Sequence, residues 1–321
     1  MPLSERKLIT AIRRSARGGE AVVTGIGDDC AVLRIPTGHQ VLVTTDFSIE
    51  NVHFRRDWHP PELIGWRCLA RGLSDIAAMG GEPRAAFLSL ALAGDIPPQW
   101  VSRFMKGLLD LAGRFKVPLA GGDTAQSVSG VQADICVIGS VPNGKSVLRS
   151  GAKVGDHIYV TGTLGGSAAA LEKARTLKPR SCRGMQPELL RQMRPLPRLL
   201  IGQWLRQHRM ASAMIDVSDG LSTDLSHICE ESRVGAEIEA ETVPRSRPLP
   251  GKEFVPLNLA LHGGDDYELL FTSSKRVPSK IAGVAVTRIG RITRSRGLRM
   301  LSNGKTRALP VQGWEHFKGQ E

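Results

Sequence analysis

Aspartates flanked by glycine or other small residues recur in six segments. These are Gly27-Asp28-Asp29, Thr44-Thr45-Asp46, Leu73-Ser74-Asp75, Gly121-Gly122-Asp123-Thr124, Asp216-Val217-Ser218-Asp219-Gly220 and Gly263-Gly264-Asp265-Asp266. One such segment is ordinary turn chemistry. Six of them, several following apolar runs such as Val41-Leu42-Val43 or Met214-Ile215, read as carboxylates carried to the ends of strands and helices. Carboxylates gathered in that way repel one another unless cations sit between them. Magnesium suits the task, because it takes a few carboxylates and keeps its other positions for water and substrate phosphates. The glycines let backbone N–H groups approach phosphate oxygens. Phosphoryl transfer is mainly positioning and charge neutralisation, so this set is sufficient chemistry without a nucleophilic side chain.

Other chemistries leave little trace. There is no G-x-S-x-G elbow and no H-E-x-x-H segment. Of the eight histidines, only His53 lies in a motif-dense stretch. The five cysteines, Cys30, Cys68, Cys136, Cys182 and Cys229, are dispersed and form no C-x-x-C pair, which argues against a disulfide framework and a structural zinc site. The run from Gly139 to Ser146 fits the phosphate-loop pattern G-x-x-x-x-G-K-[ST] in full. That loop works only if a helix begins at its Lys-Ser end. The ten residues that follow contain Gly151 and Gly155, so no stable helix is expected there and the match is read as a lookalike.

The elements that must position these residues follow from periodicity. Strands are expected over 41–47, 84–92, 117–120 and 131–139, and helices over 61–79 and 97–115. A turn-rich stretch over 142–155 separates two domains, 1–142 and 143–321. The second begins with a strand over 157–161, a glycine-rich turn and a helix over 165–174. A proline-broken, exposed excursion over 179–197, a strand over 213–217, a helix over 222–231 and several short closing strands complete it. The whole is a mixed α/β (α+β) protein in two halves.

With 321 residues, 41% of them hydrophobic and 23% charged, the chain is that of a soluble globular protein. The first residues lack the apolar segment of a secretion signal, and no apolar run is long enough to span a bilayer, so a cytoplasmic protein is expected. The net charge of +12 is concentrated in two stretches: 173–209 holds ten Lys/Arg and one acid, and 275–307 holds ten and none. Neither interleaves aromatic residues that would stack on bases, so both read as solvated faces and nucleic-acid binding is not expected.

Taken in order, the motifs resemble the thiamine-monophosphate kinase family. The resemblance is carried by Gly25-Ile26-Gly27-Asp28-Asp29-Cys30-Ala31, Thr44-Thr45-Asp46, Asn51-Val52-His53-Phe54, Leu73 to Gly80, Gly121-Gly122-Asp123-Thr124, Arg149-Ser150-Gly151-Ala152, Val160 to Gly165, Ile215 to Leu221 and Gly263 to Leu269. It implies the aminoimidazole ribonucleotide synthetase-like fold, with an N-terminal ATP- and magnesium-binding domain that dimerises and a C-terminal α/β domain that completes the active site. It also implies a homodimer and transfer of the γ-phosphoryl group of ATP onto thiamine monophosphate. By the same resemblance, Asp29, Thr44, Thr45, Asp46, Asp75, Asp123, Asp216 and Asp219 hold several magnesium ions. Gly121, Gly122, Arg149 and Ser218 contact ATP, and His53, Asp265 and Trp314 contact thiamine monophosphate. Asp46, Asp75, Asp123 and Arg149 form the catalytic set. The position of Asp265 often carries Glu in this family, and the shorter acid is expected to reach substrate through water. Two relatives of the same superfamily fit less well: residues 1–24 lack the reactive Cys of a selenophosphate synthetase, and the chain does not end in the Cys of the hydrogenase-maturation relative.

Overall fold

The computed structural model describes residues 5–16, 18–176, 190, 193–247 and 253–316. Most of the excursion expected over 179–197 lies outside them. The described chain divides into two compact units. One holds the residues up to 76 together with 81–144, and the other holds 77–80, 145–176 and the described residues from 190 onward.

The first unit opens with helix α1 (Glu5–Ser15) and a two-stranded ribbon of β1 (Val22–Thr24) and β2 (Val32–Leu33). A four-stranded sheet follows, from β3 (His39–Ile49), β4 (Glu82–Leu92), β5 (Leu119–Gln126) and β6 (Val131–Pro142), in the order β3-β6-β4-β5. Only the β4–β5 pair is parallel. Helices α2 (Pro61–Ala78) and α3 (Pro98–Phe115) both begin with proline, whose fixed φ suits a first helical turn. Their backbones pack closely at two glycines. A Cβ at Gly65 would lie 1.9 Å from the Phe104 carbonyl oxygen, and one at Gly107 would lie 1.9 Å from that of Glu62. At Gly72 a Cβ would lie 2.6 Å from the Val137 side chain of β6.

The second unit contains β7 (His157–Thr161), α4 (Gly166–Thr176), α5 (Leu199–Gln207), β8 (Ala213–Asp216), α6 (Leu221–Ser232), β9 (Gly235–Glu239) and α7 (Leu257–His262). It ends with β10 (Leu269–Ser273), β11 (Lys280–Ile281), β12 (Val284–Thr293), β13 (Gly297–Ser302) and β14 (Lys305–Ala308). The sheet runs β14-β13-β9-β12-β7-β10-β8, with β11 on β12. Every residue of β8 and β10 is buried, the polar Asp216, Thr272 and Ser273 included. Ile158, Val160, Leu225, Ile228, Leu270 and Ile289 form the centre of its core.

Two sequence expectations change in detail. Asp46 and Asp123 lie inside β3 and β5, and Asp75 lies inside α2, rather than at element ends. β5 runs on through Gly121-Gly122 because pairing with β4 supplies the order that two glycines lack. No helix follows Lys145: after β6 the chain makes a turn at Asn143-Gly144 and runs irregularly to β7, as expected of a phosphate-loop lookalike. Gly107→Ala is expected to lower the stability of the first unit by about 1–3 kcal/mol through overpacking, read as a lower denaturant midpoint.

Candidate active site

In the first unit the strand period of two sorts the residues of β3. Thr44 and Asp46 are half-buried, while Thr45 between them is exposed. The Thr44 hydroxyl donates to Oδ2 of Asp75, which α2 supplies. Asp123 is exposed on β5 and accepts the N–H of Thr124 at 2.8 Å. Beside it Gly122 adopts φ +149°, and a Cβ there would lie 1.9 Å from the Leu88 carbonyl oxygen, so only glycine fits. In register, Asp46, Ile135, Leu88 and Gly122 lie in one row across the sheet. Asp29 lies on the exposed loop after β1, with its N–H donated to Oδ1 of Asp28 at 2.9 Å. His53 sits in the turn after β3 and accepts the Ile49 N–H through Nδ1 at 3.1 Å, which leaves its ring proton on Nε2.

In the second unit two loops lie side by side. The Val217 N–H donates to the Glu268 carbonyl at 2.7 Å, the Tyr267 N–H to the Val217 carbonyl at 2.8 Å and the Asp265 N–H to the Ser218 carbonyl at 2.8 Å. The Trp314 N–H donates to the Asp219 carbonyl at 3.0 Å, so the segment after β14 joins them. Asp216, Ser218, Asp219, Asp265 and Trp314 are thus gathered as a group. Arg149 lies beside the strand that carries Asp216: the carbonyl of the preceding Leu148 accepts the Met214 N–H of β8 at 2.9 Å, and the Arg149 carbonyl accepts the Ser232 hydroxyl of α6.

Three acids outside the expected set shape these loops. Oδ2 of Asp224 accepts the N–H groups of Ser218, Asp219 and Gly220 at 3.1, 3.2 and 3.0 Å. Asp266 accepts the Gly165 N–H at 2.6 Å and the Ser167 N–H at 3.3 Å, which caps α4. The glycine-rich turn before α4 therefore has its anion from within the chain. Glu268 is buried against Thr161 and Arg198. The signal available in sequence for Asp224 was an acid in the first turn of a helix, and for Asp266 the second acid of an Asp-Asp pair. The loop is also strained, with Asp265 at φ 66° and Tyr267 at φ 52°, conformations that cost of order 1–3 kcal/mol each and cluster at functional sites. The Tyr267 hydroxyl donates to Oδ1 of Asp265 at 2.8 Å and fixes its direction.

The negative potential here is high. Burial, with repulsion from Asp216 and Asp219, holds the Asp224 carboxyl well above the usual carboxylate range. Burial, reinforced by Glu268 and Asp265, pushes Asp266 up to about 7 against the opposing pull of its two N–H donors. A hard cation would relieve such a potential, and the donors on offer are carboxylate and hydroxyl oxygens, the ligands magnesium takes. Among the described residues no three Asp, Glu, His or Cys side chains converge to hold an ion unaided. Magnesium sites need no such cage, because water and substrate phosphates complete them.

The two-unit chain matches the AIR synthase related proteins: the family's N-terminal domain matches residues 27–141 and its C-terminal domain residues 153–301. The chain is 40% identical over 308 residues to the thiamine-monophosphate kinase of Escherichia coli strain K12, covering 92% of each chain. The crystal structure of thiamine-monophosphate kinase from Stenotrophomonas maltophilia K279a superposes with a TM-score of 0.82 at 35% identity, over 95% of this chain and 98% of that one. A structure described as AaThiL complexed with AMPPCP and TMP superposes with a TM-score of 0.75 at 33% identity, over 98% and 97%. Within the AIR synthase related proteins, the chain belongs to the thiamine-monophosphate kinase family.

The Asp266 carboxyl has a folded pKa above its unfolded value, so the folded state binds its proton more tightly. Stability from this group is present at low pH and is lost as pH rises from about 4 toward 7. Relative to Asp266→Asn, the wild-type melting temperature is therefore expected to fall between pH 5 and pH 8. A difference that is flat with pH would contradict this.

Proposed function

We propose that this chain phosphorylates thiamine monophosphate to thiamine diphosphate with ATP, in a magnesium-dependent, direct in-line transfer of the γ-phosphoryl group. The observation that carries the reading is the acid-rich loop pair of the second unit, together with full-length likeness to thiamine-monophosphate kinases. Asp29, Thr44, Thr45, Asp46, Asp75, Asp123, Asp216 and Asp219 are the residues that would hold magnesium, which neutralises phosphate charge when bound. The backbone at Gly121 and Gly122 admits a phosphate closely because no side chain stands there. Ser218 and Arg149 serve ATP, and His53, Asp265 and Trp314 serve the acceptor. The acceptor is itself a phosphate whose attacking oxygen is already ionised, so the chain needs no strong general base. Its work is to orient two anions and keep them in line.

A homodimer and a cytoplasmic setting belong to the same proposal. Val41, Val43 and Phe47 on β3 are exposed apolar side chains on a strand that ends the described sheet. An uncovered apolar edge of this kind calls for a partner, and a second copy of this chain fits it. Among the described residues, no helix is long and apolar enough to cross a membrane. Phe47→Asp is expected to convert the dimer to a monomer in light scattering, with an unchanged circular dichroism spectrum. A wild-type protein that sedimented as a monomer would remove the dimer from the proposal.

The deciding experiment is ADP release by purified protein with ATP and magnesium, with and without thiamine monophosphate, and with a chelator control. Release that requires both thiamine monophosphate and the metal, and yields the diphosphate, is expected. Asp46→Ala and Asp123→Ala should each lower kcat by at least about 100-fold with little change in melting temperature, since each removes charge-positioning groups. Lys145→Ala should stay within about threefold of wild type, because no anion-binding helix follows it. ATP turnover indifferent to thiamine monophosphate would reject the acceptor.

A further inference from the structure

Glu268 closes the Gly263–Tyr267 loop, and its side chain is only 6% exposed. Arg198, the residue before α5, meets it with both arms of the guanidinium: Nε donates to Oε2 at 2.7 Å and Nη2 donates to Oε1. Thr161, at the end of β7, donates its hydroxyl to Oε2 at 2.5 Å and accepts the Leu269 N–H at 2.9 Å. The next residue, Gly162, has φ +60°, and a Cβ there would lie 2.0 Å from Oε1 of Glu268. The carboxylate thus rests directly on the turn between β7 and α4. Its own backbone carbonyl accepts the Val217 N–H, so the same residue reaches both acid loops. Left-handed conformations such as those of Asp265 and Tyr267 persist only where the surroundings over-determine them. Arg198 also lies in the basic stretch 173–209, whose charge the proposed chemistry otherwise leaves unused.

We propose that Arg198 is a positioning residue for the acceptor-binding loop: through its two-point ion pair with Glu268 it fixes Asp265–Tyr267, and through the Glu268 carbonyl it fixes Val217–Asp219. This rests on the assignment of Asp265 to thiamine monophosphate. A planar fork is what the geometry uses, and a lysine keeps the charge but presents a single point. Arg198→Lys is therefore the informative change, whereas Arg198→Ala would leave a buried carboxylate without its cation and risks the fold.

The test uses the full-length protein in two arms. In the first, amide hydrogen exchange of wild type and Arg198→Lys is followed by mass spectrometry; exchange over 216–220 and 263–268 is expected to accelerate at least about tenfold, with β12 and β13 unchanged. In the second, steady-state kinetics are measured for Arg198→Lys alone and combined with Asp265→Ala. The single substitution should raise KM for thiamine monophosphate about tenfold with kcat within about threefold, and in the Asp265→Ala background it should change KM less than about twofold. Unchanged exchange in both loops overturns the proposal, as does a tenfold KM effect that persists without Asp265. If wild type does not phosphorylate thiamine monophosphate, the acceptor assignment falls, and the exchange arm still decides whether Arg198 holds the loop.

Discussion

Carboxylates held close together repel one another, and each must find a donor or a cation. In this chain the acid loops exist because some of their carboxylates are satisfied by the protein itself. One oxygen of Asp224 collects three successive backbone N–H groups and so bends Ser218-Asp219-Gly220 into shape. Asp266 takes two N–H groups at the start of α4. Glu268 takes the fork of Arg198. Their sequence neighbours Asp216, Asp219 and Asp265 are the acids assigned to metal and substrate. The acids proposed for metal and substrate thus share their segments with acids that hold the backbone. The cost is visible as the raised proton affinity of Asp224 and Asp266.

The first unit divides its labour by a different rule. Along β3, successive side chains point to opposite faces of the sheet. Thr44 and Asp46 fall on the face that α2 covers, where Thr44 meets Asp75. Val43, Thr45 and Phe47 fall on the other, exposed face. One strand therefore offers polar donors on one side and an apolar surface on the other, and a slip of one residue in register would exchange the two. The eleven paired positions between β3 and β6 fix that register firmly.

Much of this was legible in the residues. Proline at the start of α2 and α3 marks helix beginnings by local stereochemistry alone. The apolar run at Ala213-Met214-Ile215 declares the buried strand β8. Gly151 and Gly155, in the ten residues after Ser146, mark the phosphate-loop match as a lookalike by local propensity alone. The acid-glycine segments are visible in the sequence by residue type alone: glycine lets backbone approach phosphate, and a carboxylate can hold a cation between them.

Three things were not legible. Asp123 looks like a turn residue beside two glycines, and only pairing with β4 makes it part of a strand. Asp224, Asp266 and Glu268 carry no local mark that tells a loop-holding acid from a metal-binding one, because the difference lies in which distant N–H or guanidinium faces them. The placing of Arg149 beside β8 and the end of α6 depends on the path of the chain, not on spacing. The sequence by itself determined the chemistry on offer and the local elements, since residue type and short-range stereochemistry set both. Only the tertiary structure decided which carboxylates are satisfied and which lie together. Hydrogen-bond partners more than a hundred residues apart, such as Thr161 and Glu268, are chosen by the folded path of the chain.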